Sequence, residues 1–351
     1  MYRIISTDNH LEWKKIISLC KEECIFLDLK YIKTFEEEKL VKGKLFFYKN
    51  KKKYFALPFL ISSLKKYGYR NFEKFFDIET PYGYGGFISN TKDVKFLNKA
   101  IMSFNLYAKN NKVIASFLRF NPFLMNQTIQ KTKINFYYNR RIVYLDLNNS
   151  LKEIYKNNYS SNHRNMIRKA RKLYTVKLGD KKKDFNKLVQ LYLKNMKAIN
   201  ADQFYFFNKD FFEGLFFNLK NNLIILSAVK KKSKETTAAV LILFDKNTGY
   251  YFLSGKNKKV DDNSSTNFLL HKAGIFLKKK NIKFFNLGGG NSDDQNDPLF
   301  KFKKKISKKT KSFFIGKMIH NKKIYDQLIK IWSKNYPYSN NKKFLKYRYE
   351  N

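Results

Sequence analysis

The sequence predicts an α/β (α+β) protein of two domains, each a mixed, mainly antiparallel sheet flanked by helices. Three observations carry that expectation. The chain has 351 residues, enough for about two domains of roughly 100–200 residues. Hydrophobic residues make up 43% and aromatics 17%, ample for packed cores and incompatible with general disorder. Apolar runs of strand length alternate with segments whose apolar residues recur at helical spacing.

In the first domain, expected over residues 1–150, Tyr2–Ile5 reads as a short strand. Thr7 and Asp8 can cap a helix on which Trp13, Ile16, Ile17 and Cys20 share a face. Lys44–Tyr48 and Tyr54–Ile61 read as a hairpin turning at Lys49–Lys53. Phe75–Ile88 is rich in Gly and Tyr and reads as a loop. Asp93–Lys109 reads as a helix, Val113–Phe120 as a strand ended before Pro122, and Arg141–Leu147 as another strand.

The second domain, expected over residues 151–320, opens with helical patterns at Leu151–Tyr159 and Asn162–Tyr174. Phe185, Leu188, Val189, Tyr192, Met196 and Ile199 mark an amphipathic helix, and Asp210–Asn221 another. Leu223–Val229, Ala238–Phe244 and Tyr250–Ser254 read as three antiparallel strands. Ser265–Lys280 follows as a helix, Lys283–Leu287 as a strand, Gly288–Gly290 as a flexible turn and Phe313–Met318 as a last strand. Residues 321–351 are expected as a terminal helix, Lys322–Asn335, and a tail. No short-period repeat is present.

Charge is the compositional anomaly: Lys and Arg total 72 against 28 acids, a formal +44. Such a charge fits a polyanionic partner, whether tRNA, coenzyme A or a pyrophosphate-linked lipid at a membrane surface. It equally fits a bias toward AT-rich codons, since Lys, Asn, Ile, Phe and Tyr are over-used together. The lysines are dispersed and no compact RNA-binding motif stands out. Both facts count against a non-catalytic, basic nucleic-acid-binding protein, the most distant alternative. Cys20 and Cys24 lack companion ligands at zinc spacing, so two reduced thiols and no metal are expected. No apolar run approaches the roughly 20 residues of a membrane span, and no targeting signal is visible. The expected location is cytoplasmic, with peripheral contact at the inner membrane surface through charge.

Five segments could carry chemistry. On the helix at Asn162–Lys172, Arg164, Arg168 and Arg171 fall at i, i+4 and i+7, opposite Met166, Ala170 and Leu173. Guanidinium forks suit phosphate or carboxylate, and Arg is the rarer choice in a lysine-preferring chain. The link from Ser254 to Asn267 passes through Asp261, Asp262 and Ser264, which can cap the next helix but would repel a phosphate there. His271, one turn after Asn267 and off the stripe of Leu269, Ala273 and Phe276, is the candidate general base. Gly288 and Gly289 allow close backbone approach to a ligand, with Lys301 and Lys303 supplying charge near the same edge. Tyr82 and Tyr84 stand among glycines and can line a pocket.

Four stretches together resemble the FemAB-like acyltransferases, a GNAT-superfamily group. They are Asp77-Ile-Glu-Thr-Pro-Tyr-Gly-Tyr-Gly-Gly86; Phe117-Leu-Arg-Phe-Asn-Pro122; Arg164–Lys172 with Leu191–Met196 and Phe204–Phe207; and Tyr251–Gly255 through Gly288–Gly290 to Leu299-Phe-Lys-Phe-Lys303. The resemblance spans about residues 75–305 and implies two GNAT-like domains with a cleft near their junction. It implies transfer of an acetyl or acyl group to an amine on a small-molecule or lipid-linked glycan precursor of the cell envelope. Direct attack by the amine needs no enzyme nucleophile, only positioning and donors for the oxyanion. The donor is expected to be acyl-CoA (acetyl-CoA). The alternative is an aminoacyl-tRNA serving a peptidyltransferase on a peptidoglycan precursor. The usual coenzyme A glycine pattern is absent, and so is the coiled-coil arm of the bridge-building members. Tyr82, Tyr84 and Arg119 are then expected on the acceptor side and Arg164 and Arg168 on an anionic group. Ser254–Asn267 would lie by the donor, with Lys301 and Lys303 at its mouth.

Overall fold

The computed structural model describes residues 1–124, 132, 134–179, 181–257 and 259–349. The chain divides into two compact units, Met1–Asn139 with Phe313–Asn351, and Arg140–Ser312. In chain order the first unit carries β1 (Tyr2–Ser6), α1 (His10–Leu19), α2 (Leu29–Lys33), β2 (Val41–Asn50), β3 (Lys53–Ser63), β4 (Phe76–Glu79), β5 (Ile88–Ser89), α3 (Val94–Asn110) and β6 (Val113–Arg119). There follow β7 (Phe136–Asp146), the single turn α4 (Leu151–Glu153), α5 (Ser161–Leu173), β8 (Tyr174–Gly179), α6 (Lys182–Ala198), α7 (Lys209–Asn218) and β9 (Leu223–Lys230). Then come β10 (Thr236–Phe244), β11 (Thr248–Lys256), α8 (Ser265–Lys279), β12 (Phe284–Gly289) and α9 (Pro298–Lys304). The strand β13 (Thr310–Ile319) and helix α10 (Lys322–Asn335) close the chain.

The first unit's strands run in the order β1-β2-β3-β4-β6-β13, with β5 beside β3. All neighbours are antiparallel except β4 and β6. One face is covered by α3, whose Phe96, Leu97, Ala100, Ile101 and Phe104 pack on Phe46, Leu57, Phe59 and Ile78. Burying each such large side chain stabilises the fold by about 1.5–3 kcal/mol. Asp93 starts α3 by accepting from the Lys95 and Phe96 amides. Leu328 and Trp332 of α10 pack with Ile114 and Tyr347, so the terminal helix and tail belong to this core.

The loop expected at Phe75–Ile88 contains β4, paired with β3 from Leu60↔Glu79 to Ser63↔Phe76. The two acids Asp77 and Glu79 hide this strand, because buried strands seldom carry charge. Arg348, from the chain's end, matches both. Its Nε and Nη2 donate to Asp77 at 2.8 and 2.6 Å, and its Nη1 donates to Glu79. Tyr347 Oη donates to Asp77 at 3.0 Å, and Arg119 Nη1 to Glu79 at 2.9 Å. Burial alone would raise the Glu79 carboxyl, but the Arg348 and Arg119 guanidiniums bring it down to about 2.

The second unit's strands run β7-β12-β11-β10-β9-β8. All neighbours are antiparallel except β11 and β12. Here β8 is a strand the sequence reading lacked: Lys177 and exposed Leu178 on an edge carry no clean alternation. α5 and α8 cover one face, joining Ile167, Ala170, Leu269 and Ala273 to Leu226, Val240 and Phe285. The inward stripe of α5 is His163, Ile167 and Ala170 rather than Met166, Ala170 and Leu173. The segment expected as one helix at Leu151–Tyr159 becomes a π turn at Ile154–Asn158, and α9 is a short helix the sequence reading passed over.

Replacing Arg348 with Met should destabilise the protein by about 3–5 kcal/mol, because Asp77 stays buried without its cation. The check is the urea midpoint at pH 7, where a change under 1 kcal/mol would show that the network carries little.

Candidate functional site

The site in the second unit begins where two parallel strands part. β11 and β12 pair at Thr248↔Phe284, Gly249↔Phe285 and Tyr250↔Asn286, and their register ends there. Beyond that point β11 is drawn onto α6. A Cβ on Gly255 would stand 2.2 Å from the Leu191 carbonyl carbon and 2.3 Å from the Tyr192 nitrogen, so only glycine permits the approach. β12 meanwhile bends at Gly288, whose φ of +76° lies in the left-handed region. Asn286 Oδ1 accepts the Gly288 N–H at 2.8 Å, and the register with β7 bulges between these residues.

Lys303 reaches the bent end of β12 from α9. Its Nζ donates to Gly289 O at 2.6 Å and lies 5.8 Å from the centre of the Tyr251 ring. Tyr251 Oη donates to Ser254 Oγ at 2.5 Å. Burial pushes the Lys303 ammonium down to about 7; Arg140 acts in the same direction and Asp297 opposes it. A lysine tuned this far is partly neutral near pH 7 and can take a proton from an amine. Asp297 holds α9 in place: Oδ1 accepts from Phe300 N at 2.9 Å, and Oδ2 from Asn291 N and Ser292 N at 2.9 and 3.3 Å. Arg140 Nη1 donates to Gly290 O at 2.6 Å and Asn291 O at 3.0 Å.

The link from β11 to α8 uses its own side chains on its amides; Lys258 lies outside the described residues. Asn257 Oδ1 accepts from Lys259 N at 3.2 Å, and Asp261 Oδ2 from Asn263 N at 3.2 Å. Asp262 Oδ1 accepts from Ser264 N at 3.1 Å, Ser264 Oγ at 2.7 Å and Tyr174 Oη at 2.9 Å. Lys169 pairs with the same carboxylate at 3.2 Å. A pyrophosphate arriving here would meet two carboxylates and amides already engaged.

His271 is buried rather than off the packed face. Its Nδ1 lies 3.3 Å from Tyr159 Oη and its Nε2 3.4 Å from Arg171 Nη2. Asn267, buried on the same helix, takes His163 Nδ1 at 2.7 Å and donates to Asn263 O at 3.2 Å. Burial lowers both imidazoles to about 4, and Arg171 adds to the effect on His271.

The remaining predicted residues lie elsewhere. Arg164 Nη1 donates to Lys156 O and Tyr159 O at 3.2 and 2.6 Å, capping the π turn. Arg168 is exposed and bonds Asn165 within its own helix. Lys301 is exposed, whereas Lys303, two positions on, is buried. In the first unit, Arg119 is committed to Glu79 and to Thr80 O. The Tyr84 ring packs edge-on against Phe26 and Phe313, and Tyr82 O accepts from Tyr31 Oη. The structure thus brings Ser254, Gly288, Gly289 and Lys303 together, with Tyr251. Asn286, Arg140 and Asp297 were not singled out in the sequence. Asn286 carried a signal, a lone amide inside the apolar run Lys283–Leu287. Among the described residues no group of three or more His, Cys, Asp or Glu is placed to hold a metal, and no helix is long and apolar enough to cross a membrane.

No family model matches the chain, and no curated protein matches it. Solved structures do. FemX superposes with a TM-score of 0.69 at 11% identity, over 93% of this chain and 99% of that one. L-PGS from Bacillus licheniformis gives 0.52 at 12% identity, over 91% and 95%. A tandem GNAT protein from the clavulanic acid biosynthesis pathway gives 0.54 at 7% identity, over 92% and 98%. The chain therefore shares the fold of FemX and of the tandem GNAT protein, a mixed, non-barrel sheet architecture flanked by helices.

Both buried imidazoles bind their proton far less readily than in the unfolded chain, where the usual value is about 6.5. The unfolded chain therefore takes up more protons as pH falls from 6.5 toward 4, and stability is lost across that window. Urea unfolding from pH 7 to 4 should show this loss, and a His271→Gln variant should lose less. Equal slopes for the two proteins would place the His271 titration at its ordinary value.

Proposed function

We propose that this chain is an acyltransferase that moves an aminoacyl group from an aminoacyl-tRNA onto an amine of a cell-envelope precursor. The observation that carries the reading is the parted β11–β12 pair with a buried, partly neutral Lys303 at its edge. A deprotonating group beside an opening for an acyl donor is what amide formation from an ammonium acceptor requires.

The choice of donor rests on the β11–α8 link. Its amides are engaged by Asp261, Asp262 and Asn257, so it offers poor provision for the pyrophosphate of coenzyme A. A formal +44 suits a polyanionic tRNA. Two structures of this fold bear names that fit: FemX, and a putative lysylphosphatidylglycerol synthetase domain from Agrobacterium fabrum, which superposes at a TM-score of 0.53. On this reading the two units, Met1–Asn139 with Phe313–Asn351 and Arg140–Ser312, are GNAT-like domains, and the second carries the chemistry. Lys303 takes the proton, Gly288 bends β12, Gly289 holds Lys303 through its carbonyl, and Tyr251 and Ser254 line the β11 side.

Transfer assays with charged tRNA and with acetyl-CoA, each offered envelope precursors bearing a free amine, test the donor. Product from charged tRNA alone is expected; product from acetyl-CoA alone would return the reading to an acyl-CoA enzyme. Because Lys303 works in its neutral form, kcat should rise with pH to a plateau, with an apparent midpoint near about 7. Lys303→Met should lower kcat by about 10²–10⁴-fold and abolish that dependence. A variant that keeps the wild-type profile would remove Lys303 from the proton transfer.

A further inference from the structure

Asn286 lies at the last paired position before β11 and β12 separate. Phe285 and Leu287 on either side of it are core residues packed with α8. Strand alternation therefore turns Asn286 to the opposite face of the sheet. The side chain is 1% exposed. Its Oδ1 is fixed by the Gly288 N–H at 2.8 Å, which assigns the other terminal atom as the amide nitrogen. That nitrogen, Nδ2, is buried and has no hydrogen-bond partner among the described residues. A buried donor left unmatched is costly, and native folds keep few of them.

We propose that the Asn286 Nδ2–H binds the carbonyl oxygen of the acyl donor and stabilises the oxyanion formed during transfer. The inference rests on the aminoacyl-transfer reading above and adds a catalytic residue to it. The acceptor's amine nitrogen attacks the ester carbonyl carbon and a C–N bond forms. The C=O π pair moves to the oxygen, where Asn286 donates to it. When that pair returns, the ester C–O bond breaks and the amide is complete. The leaving ribose oxygen takes up the proton that the amine lost, carried on Lys303 Nζ. Lys303 holds Gly289 O, so the proton carrier and the oxyanion donor flank the same bent end of β12. A fixed side-chain amide is suited to this, since it needs no reorganisation as charge develops. The polarity of the site agrees: Nδ2 donates only, and what it lacks is an acceptor.

Asn286→Asp is the informative substitution. It keeps an oxygen for the Gly288 N–H and removes the donor. With charged tRNA as donor, kcat should fall about 10²–10³-fold, while KM for the tRNA stays close to wild type; the buried carboxylate lowers the melting temperature. A kcat within threefold of wild type in the folded variant would overturn the proposal. Should the variant not fold, the wild-type protein serves. The 15N side-chain resonance of Asn286 should shift when a non-hydrolysable 3′-aminoacylamino-adenosine binds, and a bound analogue with no shift overturns the proposal equally. A wild-type protein that transfers from neither donor sinks the aminoacyl-transfer reading itself. An active wild type with an equally active Asn286→Asp sinks only the role of Asn286.

Discussion

The constraint on which the second unit depends is the divergence of β11 from β12. Parallel strands that part expose backbone groups that the ladder would have satisfied, and buried groups of that kind must find other partners. Here side chains supply them. Asn286 Oδ1 takes the Gly288 N–H, Lys303 takes Gly289 O, and Arg140 takes Gly290 O. A lysine is therefore drawn into a buried position by hydrogen-bond accounting in the backbone. The desolvation that follows, with Arg140 close by, is what lowers its proton affinity. Strand geometry, backbone satisfaction and proton chemistry are links of one chain.

The same logic separates the two ends of the opening. At the β12 end, Gly289 and Gly290 let Arg140, Arg141 and Asp297 close onto the backbone, and Lys303 holds the Gly289 carbonyl. At the β11 end, the link to α8 is filled by its own Asp and Asn side chains, which spend the amides a phosphate would need. The helix N-terminus keeps its favourable dipole for anions, yet the nearest anion is the protein's own Asp262, already paired with Lys169 and Tyr174. On the proposed reading, that asymmetry is the reason an ester donor is preferred to a thioester anchored by its pyrophosphate.

Much of the fold was legible in the sequence because periodicity reports which face is buried. α3, α6, α8, α10 and the β9–β11 meander follow from apolar spacing alone. What periodicity could not see was held by charge or by backbone. β4 carries Asp77 and Glu79, whose partner Arg348 arrives from the far end of the chain, and no local window contains that pairing. β8 is a lysine-bearing edge. In the site, Gly288, Gly289 and Lys303 were readable as glycines and a cation near a strand end, and Ser254 as the end of an apolar strand. Asn286 was readable only as a polar residue in an apolar run, and its use depends on a bend at Gly288 that sequence does not announce.

The arginines show where composition misleads. In a chain that so prefers lysine, an arginine invites a ligand-binding reading. Yet Arg119 and Arg348 neutralise Glu79 and Asp77 inside the first unit, Arg164 closes the π turn, and Arg140 ties down the Gly290 loop. Arg348 uses its planar fork to reach both acids at once, while Arg119, Arg164 and Arg140 each bring one nitrogen to two acceptors. These four arginines serve internal geometry, while Arg168 stays exposed on α5. Lysine, unlike arginine, can be brought toward neutrality by burial, and Lys303 is where this fold does so.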